Sequence, residues 1–163
     1  MILITYISNT GTTKEAAGLI NNIFIEKAFE VELLEISEVS SIDKYDTIII
    51  GAPINGMHWV SEASDFVLKN EISLKNKKVA CFALSYIIND GRKFWKNRMI
   101  KNFRKINKSV DPIDTMIFGG KISQPMPAPA RFIFGLSKGT PLDYRDNKKV
   151  EQWAKDLIKA LVL

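Results

Sequence analysis

Two hydrophobic rhythms alternate along this chain. Short, nearly continuous apolar runs predict strands at Ile2–Ile7, Val31–Ile36, Thr47–Gly51, Val79–Leu84 and Thr115–Gly119. Between them, apolar residues recur at helical spacing. The stretch Thr13–Ala28 places Ala16, Leu19, Ile20, Ile23 and Phe24 on one face, and Ser61–Asn70 turns Ala63, Phe66 and Val67 inward. Arg92–Lys108 aligns Trp95, Met99, Phe103 and Ile106. Lys148–Leu163 aligns Val150, Trp153, Ala154, Leu157, Ile158 and Leu161. Val31–Ile36 alternates weakly, as an edge strand does. Strands alternating with helices predict an α/β chain whose parallel sheet is covered on both faces.

The first crossover carries the chemistry. Ile2–Ile7 runs straight into the hydroxyl-rich loop Ser8-Asn9-Thr10-Gly11-Thr12-Thr13, and a helix begins at once. Backbone N–H groups, four side-chain hydroxyls and a helix N-terminus converge there, which suits a phosphate. The loop lacks the Gly-x-x-x-x-Gly-Lys of a P-loop and the Gly-x-Gly-x-x-Gly of a dinucleotide site. Its neutral donors fit one phosphate monoester held without a counter-cation. The plainer alternative is a ligand-free turn, with Thr12 and Glu15 as a capping box.

The loop resembles the phosphate loop of the flavodoxins, a Thr/Ser-x-Thr-Gly-x-Thr pattern that holds the phosphate of FMN. The resemblance implies a flavodoxin-like three-layer sandwich with a five-stranded parallel sheet of order 2-1-3-4-5. It also implies an FMN site at the switch point beyond the carboxyl ends of the strands. The loops that matter are then Ser8–Thr13, Ala52–Val60 and Ser85–Gly91.

Ala52-Pro53-Ile54-Asn55-Gly56-Met57-His58-Trp59 follows the third strand. A flavin ring needs an apolar plate on each face and backbone groups along its polar edge. Ile54, Met57, His58 and Trp59 are the candidate plates, and Gly56 leaves the backbone free to change conformation beside ring atom N5. The resemblance puts Trp59 or Met57 against the ring; alternatively, Trp59 anchors the next helix. Across the other face, Ser85-Tyr86-Ile87-Ile88-Asn89-Asp90-Gly91 offers Tyr86 as the stacking aromatic, with Ser85, Ile87 and Asn89 at the polar edge and Gly91 at the turn. His58, the one histidine, has a side chain suited to a general base and is the single catalytic candidate.

Composition narrows the class. The chain has 163 residues, 46% hydrophobic and 25% charged, which predicts one domain over 1–163. No apolar run approaches the about 18 residues of a membrane span. A chain that enters a strand at Ile2 is expected to carry no leader and to be cytoplasmic. One cysteine, Cys81, excludes an internal disulfide. With a single histidine beside it, no zinc or iron–sulfur site is expected.

The net charge of +5 comes from one place. Arg92–Lys108 holds eight Lys/Arg and no Asp/Glu, against fifteen basic and eighteen acidic residues elsewhere. This segment fits a core-packed helix with a solvated basic face, or a contact for an acidic partner or anionic membrane through Arg92, Lys93 and Lys96. No motif supports nucleic-acid binding.

Residues 121–147 form a long insertion before the last helix, holding four of the six prolines and the apolar stretch Arg131-Phe132-Ile133-Phe134. Together with Gly51-Ala52-x-Ile54, His58, Gly119-Gly120, Asp146 and Val150-x-x-Trp153-Ala154, it makes the layout resemble the menaquinone-dependent protoporphyrinogen oxidases, a flavodoxin-like branch. That resemblance implies an FMN oxidoreductase passing electrons to a quinone. The plain flavodoxin pattern implies instead a carrier serving a redox partner protein, with no substrate pocket of its own.

Overall fold

The computed structural model of the protein describes residues 1–162, without the side chains of Ile106 and Asn107. Ile106, expected on the apolar stripe, and Leu163, expected to end the last helix, lie outside the described residues.

Five strands form one parallel sheet: β1 (Ile2–Tyr6), β2 (Val31–Glu35), β3 (Thr47–Asn55), β5 (Lys78–Ser85) and β6 (Asp114–Gly119). Their spatial order is β2-β1-β3-β5-β6, and a two-residue strand β4 (His58–Trp59) folds back antiparallel on the end of β3. Leaving that hairpin aside, this is the expected order 2-1-3-4-5. The β1–β3 register pairs Ile4 with Ile49 and Tyr6 with Gly51. Strand alternation then divides the core. Ile4, Ile49, Phe82 and Phe118 face α1 (Thr12–Glu26) and α6 (Asn147–Val162), and meet Ile20, Phe24, Trp153 and Leu157. Leu3, Ile48, Ile50 and Cys81 face the opposite layer of α2 (Ser61–Lys69), α3 (Glu71–Leu74) and α4 (Lys93–Asn107), and meet Phe66, Val67, Leu74 and Phe103.

Three elements depart from expectation. β3 continues beyond Gly51 to Asn55. It ends in a hairpin turn at Gly56 and Met57, whose φ values of 55° and 71° are the paired positive angles of a type I′ turn. The segment expected as a flavin loop is thus partly sheet. α3 extends the α2 layer by one short turn. Within the insertion, Ala128–Phe134 forms α5, for the following reason. Prolines are tolerated in a first helical turn, where the N–H has no intrahelical partner, and Gly135 closes the helix with φ 74°.

Among the described residues, no helix is long and apolar enough to cross a membrane.

Candidate functional site

The loop after β1 is pinned at its start, where the Ile7 amide donates to the Gly51 carbonyl at 3.0 Å. It then kinks at Gly11, whose φ of 83° is a left-handed conformation that favours glycine, and α1 begins at Thr12. Thr12 is therefore inside the helix rather than its cap. No side chain caps α1, and the Glu15 carboxylate accepts from Arg145 instead, so the capping-box alternative fails. Its first-turn amides have no intrahelical acceptor. Among the described residues, no turn or loop hydrogen bond is donated by the backbone amides of residues 8 to 11. Two buried side-chain oxygens also lack a partner: Oγ1 of Thr5 within β1, and Oγ of Ser8 at the mouth of the loop. The hydroxyls of Thr10 and Thr12 stand 3.2 Å apart. A set of free donors at a helix N-terminus fits a phosphate dianion.

The loop borders a cleft of about 240 Å³, with Ser8 outside its lining. Its walls are Asn9, Thr10, Thr12 and Thr13; Pro53, Ile54 and Asn55 from the end of β3; Leu84 and Tyr86 from the end of β5; and Gly120, Lys121 and Ile122 beyond β6. Through Asn9 and Asn55 it continues into a shallow basin over the hairpin, lined also by Gly56, His58 and Ser61. Apolar surface from Ile54 and Tyr86 beside a set of phosphate donors is the chemistry a phosphorylated flat ring requires.

The expected plates divide. Ile54 and Tyr86 line the cleft. Trp59 borders only the basin over the hairpin: it is 2% exposed, donates its indole N–H to the Ala52 carbonyl at 3.1 Å and meets Phe103 edge-on at 5.2 Å. The side chain of Met57 packs with Ile87, Met99 and Leu136. The hairpin pairs Ile54 with Trp59, which places both on the face of the α2–α4 layer, where the indole is buried and Ile54 stays partly exposed at the cleft. His58 is exposed at the hairpin, with Nε2 3.4 Å from the Asn102 amide nitrogen. It lies outside the phosphate cleft. Ala52 and Ser85 are buried. Asn89 lines a separate open basin with residues 143–149. At Gly91 a Cβ would come within 2.6 Å of the Ile87 carbonyl, so this glycine serves close backbone packing.

The far wall was not read from sequence. Gly120 and Tyr144 pair through the Tyr144 amide, and Ile122 donates to Leu142, so the two ends of the insertion form a stem beside the cleft. A Cβ at Gly119 would lie 2.0 Å from the Tyr144 carbonyl, so only glycine admits this approach. The stem brings Lys121 into the cleft wall, so a cation stands in the cleft beside a loop of neutral donors. Opposite Lys121 in the stem, Asp143 is held at a pKa of about 2, chiefly by the Arg145 guanidinium. Arg145 also reaches Glu15 and so ties the stem to α1. Tyr86 is fixed from the same side: its hydroxyl donates to the Pro141 carbonyl at 2.6 Å and its ring meets that of Tyr144 at 5.4 Å. Burial, and then the charge of Asp90, raises the Tyr86 pKa and keeps the phenol neutral. The one signal for this wall was Gly119-Gly120 at a strand's carboxyl end.

A flavodoxin domain family model matches residues 3–129. A flavodoxin from Maridesulfovibrio salexigens is 35% identical over 88 residues, a match covering 49% of this chain and 60% of that relative, less than two thirds of its length. Oxidised flavodoxin 2 from Bacillus cereus superposes with a TM-score of 0.60 at 22% identity, over 97% of each chain. A mutant flavodoxin of Fusobacterium nucleatum bound to flavin mononucleotide superposes with a TM-score of 0.55 at 15% identity, over 97% of this chain and 95% of that one. At these identities the structural likeness speaks to the fold.

Proposed function

The chain belongs to the flavodoxin domain family, and on that premise we propose that it binds FMN non-covalently and transfers electrons as a carrier between redox partners. The observation that carries this reading is the loop Ser8–Thr13, whose residue 8 to 11 amides donate no turn or loop hydrogen bond among the described residues and whose Asn9, Thr10, Thr12 and Thr13 line a cleft walled also by Ile54 and Tyr86. When bound, FMN supplies the redox chemistry, taking up and releasing electrons at its ring.

The residues have distinct tasks. Amides of the loop, the hydroxyls of Ser8, Thr10, Thr12 and Thr13, and the N-terminus of α1 hold the phosphate. Lys121 offsets part of its charge. Ile54 and Tyr86 exclude water from the ring faces. The Asn55-Gly56 peptide, at a hairpin tip where glycine has φ 55°, would present a backbone group to the bound flavin, and the glycine leaves that peptide free to turn. Asp90 is the one acidic residue of the Ser85–Gly91 loop, so reduction places little negative charge against negative charge.

A second reading makes the chain a porphyrinogen-oxidising enzyme that passes electrons to a quinone, with peripheral membrane contact through Arg92, Lys93 and Lys96. The insertion favours it, because its stem borders the cleft. Against it, the middle of the insertion packs on Arg92 and Trp95 instead of roofing the cleft. The test is the anaerobic visible spectrum of the FMN-loaded protein, recorded before and after protoporphyrinogen alone, and again after a menaquinone analogue is added to take the electrons up. A spectrum untouched by protoporphyrinogen but bleached by dithionite supports the carrier. Bleaching by protoporphyrinogen supports the enzyme. A protein that stays colourless after incubation with FMN and removal of the excess refutes both.

A further inference from the structure

α5 is fastened to the start of α4. The Arg92 amide donates to the Phe134 carbonyl at 2.7 Å, and the Trp95 indole donates to the Ile133 carbonyl at 2.8 Å. The Arg92 guanidinium lies 5.4 Å from the centre of the Phe132 ring. Trp95 meets Phe94 at 5.0 Å and Phe134 at 5.7 Å, both edge-on. At Gly135 a Cβ would lie 2.3 Å from Arg92 Cγ, so the contact depends on that glycine. Beneath it, Leu136 enters the core with Met99.

This fastening leaves three large apolar side chains in water. Phe132 is 76% exposed, Phe94 63% and Ile133 49%. Clustered exposed apolar groups of this kind mark an interaction surface. Lys93, Lys96 and Arg131 adjoin them in sequence, and the helix behind holds no acidic residue. Charge alone would suit an acidic protein as well as a lipid surface. Protruding aromatic and aliphatic tips among long cationic side chains favour the lipid: the tips enter the headgroup boundary while the cations reach the phosphates.

We propose that Phe94, Phe132 and Ile133 form a wedge that enters an anionic phospholipid bilayer, with Lys93, Lys96 and Arg131 on the lipid phosphates. The wedge deepens the peripheral membrane contact named in the second reading, and it stands or falls independently of which redox reaction the cleft performs. Phe94 and the adjoining cations follow the Tyr86–Gly91 segment closely along the chain.

Co-sedimentation of the full chain with vesicles tests this. The wild type is expected to pellet with equimolar phosphatidylglycerol and phosphatidylcholine, to stay in solution with phosphatidylcholine alone, and to be released by salt. Phe132→Ser with Ile133→Ser is expected to weaken partitioning roughly tenfold, as expected for partial burial of such groups, with an unchanged circular dichroism spectrum and FMN affinity. Phe94→Ser should weaken it in the same sense. Lys93→Gln with Lys96→Gln should weaken it and flatten the salt dependence. A double wedge variant that pellets like wild type overturns the wedge and leaves the charge contact standing. A wild type that ignores anionic vesicles overturns both.

Discussion

The Tyr86 hydroxyl donates to the carbonyl of Pro141 at 2.6 Å, joining the aromatic wall of the cleft to the insertion before α6. Tyr86→Phe removes this bond and leaves the ring. Stability should fall by about 1 kcal/mol, the net worth of one such bond. The looser insertion should be cut faster by a protease within residues 121–147, read by mass spectrometry of the fragments. An unchanged cleavage rate would show that Tyr86 does not hold the insertion.

Trp59 separates a core role from a flavin role. Its indole donates to the Ala52 carbonyl inside the sheet–helix layer. Trp59→Phe should cost about 1–3 kcal/mol in a urea melt by stranding a buried acceptor. FMN affinity should not change. A large loss of affinity at unchanged stability would return Trp59 to the ring.

The phosphate end predicts a graded response. Thr10→Ala with Thr13→Ala should weaken FMN by about 1–3 kcal/mol, through lost hydrogen bonds to a charged group. Lys121→Gln should weaken it by about 0.2–1 kcal/mol, since an exposed cation is well screened, and should flatten the salt dependence. Fluorescence titration measures both. Neither change should alter riboflavin binding.

Acid should loosen the stem. The Asp143 carboxyl is depressed from the ordinary 3.8 to about 2, chiefly by Arg145. A group depressed on folding contributes stability that is fully present above its unfolded pKa and is lost as pH falls through its folded value. Hydrogen exchange of the Ile122 and Tyr144 amides, referenced to core amides, should therefore lose protection as pH falls from about 4 toward 2. Asp143→Asn should remove that acid limb. The effect is modest, because Asp143 is partly exposed and solvent screens the pair.

Much of this molecule was legible because local and global signals agree. Ile2–Thr13 reads as strand, kink and helix start, and Gly11 has the left-handed φ that the kink requires. Alternation of strands and helices implied the covered parallel sheet, and the resemblance of the first loop supplied the strand order. Two things were hidden. Asn55-Gly56 is a hairpin signal, but in a loop read for flavin contact its glycine was assigned to redox flexibility; once β3 and β4 pair, the direction of Trp59 is set by register. Lys121 was hidden because its position depends on pairing with a strand partner far along the chain at Asp143. No helix was expected within the Pro-rich insertion, yet at the start of α5 prolines fit a first helical turn.

The central claim is that Ser8–Thr13 holds a flavin phosphate. Parallel equilibrium titrations of the flavin-free protein with FMN and with riboflavin, followed by quenching of flavin fluorescence, test it most directly. Far tighter binding of FMN, lost in the Thr10→Ala, Thr13→Ala protein, is the predicted result. Equal affinity for the two flavins would contradict it.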